Sequence, residues 1–149
     1  MLTKPTIEQE HILAVAAAWT RLERWLDSAL SDIKGISFSE YRMLRHLADA
    51  PNGTVSRVDL ADALARTPSG VTRALRPLEK LGFVETRKSE RDARLALAYL
   101  TEPGRELVSD ASGVINDLTA RWQRPGAGPS SNDDQLLQNL SGLANLGQP

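Results

Sequence analysis

Residues 67–83 read TPSGVTRALRPLEKLGF, and this stretch decides the fold. Thr67 is a good N-cap residue, and Pro68 after it takes the first helical position, where its missing N–H costs nothing. Val71, Leu75 and Leu78 recur at steps of four and three and share one face, the face a core would cover. Gly82 stands where the left-handed residue that ends a helix belongs. The spacing predicts a helix over residues 68–81. Its opposite face carries Ser69, Gly70, Thr72, Arg73, Arg76 and Lys80. Small residues allow close approach, hydroxyls reach phosphates or base edges, and arginine can bond guanine O6 and N7 in bidentate fashion. Taken alone, that face reads equally well as a solvated basic surface. Pro77 breaks the pattern: it removes a backbone donor and crowds the carbonyl of Arg73. In an ordinary helix interior proline costs about 3 kcal/mol relative to alanine, so a kink or early loosening after Arg76 is expected.

Working upstream, Ser56-Arg57-Val58-Asp59 resembles a capping box and opens a short helix with Val58, Leu60, Ala61 and Leu64 as its apolar face. Ala65-Arg66-Thr67 is then a tight turn between two helices. A helix is expected from an N-cap at Ser39, with Tyr41, Leu44, Leu47 and Ala48 inward, and Thr54-Val55 reads as a short strand after the Pro51-Asn52-Gly53 turn. From Ile7 to Ile33, apolar residues fall at Ile12, Val15, Trp19, Leu22, Leu26, Leu30 and Ile33, always three or four apart, and Gly35 ends that helix.

Downstream, Phe83 to Lys88 and Leu95 to Leu100 read as two strands, the second because Leu95, Leu97 and Tyr99 alternate with alanines. The polar loop from Ser89 to Arg94 between them carries Arg91, Asp92 and Arg94. Arginine on a thin loop can enter the narrow, electronegative minor groove, and Arg87 and Lys88 on the approaching strand can meet phosphates. Asp92 and Arg94 could instead simply pair at a turn, which contributes little to stability. A basic helix and a basic loop joined by a tight turn favour the DNA reading. A fifth helix follows from Thr101, with the stripe Leu107, Ala111, Val114, Leu118 and Trp122, then a Pro/Gly/Ser linker over 124–132 and a short last helix marked by Leu136, Leu140 and Leu143. Two helices with a three-residue turn, followed by a hairpin, make a winged helix-turn-helix in a mainly α (α+β) chain.

Residues 37–104 resemble the MarR family of transcriptional regulators. The resemblance runs through Leu60-Ala61 with Leu64, Ser69-Gly70-Val71-Thr72-Arg73, Leu78-Glu79-Lys80-Leu81-Gly82-Phe83-Val84, and Asp92-Ala93-Arg94 with Leu100-Thr101-Glu102-Pro103-Gly104. It implies a DNA-binding lobe at 37–104 within one domain over 1–149, and a helical dimerisation region at 5–34 and 101–146. It further implies a homodimer on a pseudo-palindromic operator. Ser69, Thr72, Arg73 and Arg76 would contact double-stranded DNA, and Arg94 would enter the minor groove. The family usually represses a nearby gene and often releases DNA when a small aromatic or phenolic effector binds.

The remaining chemistry narrows the alternatives. The chain has 149 residues, 41% hydrophobic and 25% charged, as a soluble domain with its own core would. With no cysteine, disulfides, thiolate metal sites and thiol redox chemistry are excluded. His11 and His46 lack a metal-binding pattern, no cofactor is implied, and no apolar stretch is long enough to span a membrane, so a cytoplasmic protein is expected. Net charge is −1, yet residues 51–94 hold nine basic and six acidic residues while residues 95–149 hold three and six. A basic segment in an acidic chain points to a local anion-binding face. The near-heptad stripes of the first and fifth helices, flanked by Trp19 and Trp122, favour self-association over purely internal packing. Trp19, Trp25, Tyr41, Arg42 and Arg45 could line an aromatic-anion site. The competing functions are a winged-helix protein-interaction module, which retained Arg73, Arg76 and Arg94 argue against, and an enzyme. For an enzyme there is no Gly-rich phosphate loop and no nucleophile–base pair.

Overall fold

A computed structural model describes residues 5–89 and 95–120. The chain divides into two units, residues 1–116 and 117–149, and of the second only residues 117–120 are described. The elements run α1 (Ile7–Lys34), α2 (Phe38–Ala48), β1 (Val55–Ser56), α3 (Arg57–Ala63), α4 (Pro68–Lys80), β2 (Val84–Lys88), β3 (Ala96–Leu100) and α5 (Glu102–Ala120). The fold class read from the sequence is the one observed: a winged helix-turn-helix lobe carrying long helices before and after it. The short helix expected around Leu136 to Leu143, and Trp122, lie outside the described residues.

Each helix begins on a cap that its sequence supplies. Thr6 with Gln9, and Ser37 with Glu40, form full capping boxes; Ser56 and Thr67 accept from the amides of Asp59 and Gly70. The cap of α2 is therefore Ser37, not Ser39. Glu40 stands three residues after Ser37 and returns a bond to its amide, 2.8 Å away, a reciprocal pairing that Ser39 lacks.

The two helices of the helix-turn-helix end in the same way. At α4, Gly82 has φ +78°, with Gly82 N–H bonded to Glu79 O and Phe83 N–H to Leu78 O. At α3 the equivalent bonds run from Ala65 to Asp62 and from Arg66 to Ala61, and the left-handed residue is Ala65 at φ +51°. Alanine in that region carries steric strain that glycine would not, and no glycine announces this turn in the sequence.

The sheet is antiparallel in the order β1-β3-β2, with Val55 opposite Ala98 and Val84 opposite Leu100. β3 turns its alanine face inward: Ala98 and Leu100 are buried, while Leu97 and Tyr99 are half-exposed and Leu95 lies outside the strand. Small side chains there let the sheet approach the helices closely. The core joins Leu30, Ile36, Met43, Leu44, Leu47, Leu60, Val71, Leu75, Leu78, Val84, Leu100 and Val108, among others. Two expected inward residues are exposed instead. Ala48 gives way to Met43 on α2, and Val58 faces solvent because Leu60 and Ala61 already fill the inner side of the two-turn α3.

Gly104 fixes how α5 leaves the sheet. It is buried, and a Cβ there would overlap the carbonyl oxygen of Phe83 and sit 3.2 Å from Leu100 Cδ2. Thr101 reinforces the junction, donating to Gly82 O at 2.6 Å and accepting from Gly104 N–H.

Candidate nucleic-acid interface

Helix α4 is seated by Val71, Leu75 and Leu78, all fully buried or nearly so, which forces Ser69, Arg73 and Arg76 to the solvent side. Among the described residues, Arg73 and Arg76 have no ion-pair or hydrogen-bond partner, so both guanidinium groups are free to meet an anion. By contrast Arg45, Arg57 and Arg105 each have a carboxylate within reach. Ser69 Oγ lies 3.2 Å from Thr67 Oγ1, and Thr72 Oγ1 donates to Pro68 O at 3.0 Å, which leaves both hydroxyls able to accept further bonds. Gly70 is close to Thr67: an added Cβ would stand 3.0 Å from Thr67 Oγ1, so the small residue protects the cap as well as the approach to the surface.

Pro77 does not end the helix. The α-helix continues through Pro77 to Lys80, with Leu81 as its cap, so the expected loosening after Arg76 is absent. The reason is position and anchorage. Only one turn follows Pro77, its carbonyl still accepts from Leu81 N–H at 3.0 Å, and Leu78 next to it is 1% exposed. Lys80 consequently stays on the helix.

Arg87 is on the outer face of the hairpin with its guanidinium 5.0 Å from the Tyr99 ring. The Tyr99 hydroxyl donates to Glu85, and that carboxylate holds the phenol above its usual pKa. Ser89 N–H bonds Leu95 O at 2.9 Å and closes the described part of the hairpin. Arg91, Asp92 and Arg94 lie outside the described residues.

The candidate effector residues divide into two groups. Trp19, Tyr41 and Arg42 come together around Phe38, which the sequence reading did not single out. Phe38 is 6.3 Å from Trp19 and 6.1 Å from Tyr41, centroid to centroid, and Arg42 lies 5.7 Å over Trp19. Tyr41 also bonds Ser112 of α5 at 2.9 Å, and the Phe38 amide donates to Asp27 of α1 at 2.6 Å. Phe38 follows the Ser37 cap directly, and that position was the available signal for it. Arg45 instead pairs with Asp49 at 2.9 Å, which holds its guanidinium above its usual pKa. Trp25 is exposed, at 37%.

Comparisons with known proteins place this geometry. A family model described as the MarR family matches residues 34–95. An uncharacterised HTH-type transcriptional regulator of Bacillus subtilis, YdgJ, is 35% identical over 77 residues, 52% of this chain and 46% of that protein. The transcriptional repressor MprA of Escherichia coli is 31% identical over 77 residues, 52% of this chain and 44% of that protein. The chain thus spans about half the length of the curated relatives it matches. The crystal structure of Sco3205 from Streptomyces coelicolor, a MarR family transcriptional regulator in complex with DNA, superposes with a TM-score of 0.85 at 26% identity, covering 99% of this chain and 93% of that one.

Proposed function

Because the chain belongs to the MarR family of winged-helix transcriptional regulators, we propose that it reads double-stranded DNA sequence and represses transcription as a homodimer on a pseudo-palindromic operator. The observation that carries this reading is the exposed pair Arg73 and Arg76, unpaired among the described residues on a helix whose other face is sealed in the core. In the major groove these two would bond guanine edges, while Ser69, Thr72 and Gly70 provide hydroxyls and close approach. Arg87 would leave Tyr99 for a phosphate. Arg91, Asp92 and Arg94, by their match to the family's wing-tip pattern, would reach the minor groove. A two-fold operator requires two such helices one turn apart, about 34 Å, which supports the dimer. The Trp19, Phe38, Tyr41 and Arg42 cluster supports a small aromatic or phenolic anion as the releasing ligand, since it offers rings to stack on and one cation.

Selection from a random pool of DNA duplexes tests the proposal. The wild-type protein should enrich a two-fold motif, and its affinity should fall steeply with salt as phosphate contacts release counterions. Arg73→Ala should reduce discrimination at one base pair of each half-site by about 1–3 kcal/mol. Failure to enrich any motif at low salt would leave the protein-interaction module as the better account.

A further inference from the structure

The carboxylate of Glu79 has no use in the helix that carries it. It sits in the last turn of α4, where the helix dipole disfavours negative charge. It also shares a helix with the basic residues proposed to face DNA, so its charge would repel phosphate. Yet its side chain is only 28% exposed, and one of its oxygens, Oε1, meets two partners. Thr86 of β2 donates to Glu79 Oε1, and Arg57 of α3 brings Nη2 to 4.0 Å from the same oxygen. Arg57 Nε is buried without a hydrogen-bond partner among the described residues, so Glu79 is the carboxylate that offsets that half-buried cation. One side chain therefore joins α4 to the helix before it and to the strand that leads into the hairpin.

Pro77 gives the join a purpose. Having no N–H, it cannot close the backbone bond to Arg73 O, so the turn that carries Arg76 lacks one of its ordinary ties. Side-chain tips lie about 6 Å from a helix axis, so a roll of about 10° would move the Arg73 and Arg76 guanidinium groups by about 1 Å, more than bidentate recognition tolerates. The apolar stripe of Val71, Leu75 and Leu78 holds α4 from one side only. Glu79 holds its flank.

We infer that Glu79 is a positioning residue: it clamps the proline-interrupted last turn of α4 to Arg57 and Thr86 and so fixes the roll at which Arg73 and Arg76 meet DNA. This rests on the DNA-binding reading above. The test uses the full chain and the duplex that wild-type protein enriches from a random pool, competed against a scrambled duplex. Glu79→Ala should lower preference for the selected duplex about tenfold, the low end of what one bidentate contact is worth, although it removes a negative charge. Affinity for scrambled duplex should stay level or rise. Glu79→Gln, which still accepts from Thr86, should lose less, and Thr86→Val, which keeps the bulk without the hydroxyl, should lose part of the preference. In a Pro77→Ala background the Glu79→Ala loss should shrink to less than about threefold, because the restored amide supplies the missing tie. Unchanged preference in both Glu79→Ala and Thr86→Val would overturn the inference. So would an equal loss on both duplexes with a lowered melting temperature, or the same loss with alanine at position 77. A wild-type protein that enriches no duplex would overturn the DNA-binding reading itself, a result distinct from any of these.

Discussion

Helix α4 and the first half of α1 carry equally regular apolar stripes and meet opposite fates. On α4, Val71, Leu75 and Leu78 disappear into the interior. On α1, Ile12 remains 68% exposed, Leu13 63% and Val15 48%, and the helix is buried only at Leu26 and Leu30. Helical spacing therefore says which face of a helix wants cover, and says nothing about which chain provides it. Short connections on either side of α4 fold its stripe back onto α3 and β2. Residues 7–20 of α1 are exposed throughout, and Ile12, Leu13 and Val15 have no cover among the described residues. These three are the exposed apolar side chains that the proposed dimer would cover.

The two regions should therefore respond differently to loss of apolar volume. The largest effect is expected at the sealed stripe. Leu75→Ala should cost about 2–5 kcal/mol of unfolding free energy, measured by urea denaturation with the slope m unchanged. A cost below about 1 kcal/mol would mean that α4 is not part of the cooperative core. Gly104→Ala should follow at about 1–3 kcal/mol, because the added methyl must displace the Phe83 backbone rather than a flexible side chain. If it proves neutral, the packing of α5 on the end of β2 and β3 is looser than the geometry implies.

These residues also show what the sequence can reveal. The α4 stripe, its Thr67-Pro68 start and its Gly82 stop were readable because each is a local rule: a spacing, a cap, a backbone conformation. The exposed Arg73 and Arg76 follow from that stripe by elimination. What could not be read depends on partners distant in sequence. The Ser37 cap is the exception and was legible locally, because Glu40 three residues on completes the capping box that Ser39 lacks. Val58 satisfies helical spacing, but two turns of helix have room for few inward residues. Pro77 looked disruptive because its cost is local, whereas the burial of Leu78 and the reach of Glu79 to Thr86 are tertiary. Phe38 gains its place from Trp19, nineteen positions earlier, a contact that no period predicts.

The smallest effect on the lobe is expected at the open stripe, and it sharpens the contrast most. Ile12→Glu with Val15→Glu should change the unfolding free energy of dilute protein by no more than about 0.5 kcal/mol, since neither side chain is buried within the chain. Its effect should appear only when copies meet. A dimer that forms from folded chains and not from unfolded ones raises the melting temperature with concentration. The wild-type midpoint should therefore climb across a hundredfold concentration series, and that of the double variant should stay flat. Sedimentation should show the variant as a monomer that still binds the selected duplex, with the preference of a single half-site. A flat wild-type series would break the contrast, because the α1 stripe would then be open in solution as well. A variant that is destabilised when dilute would break it from the other side, placing Ile12 and Val15 within the same core as Leu75.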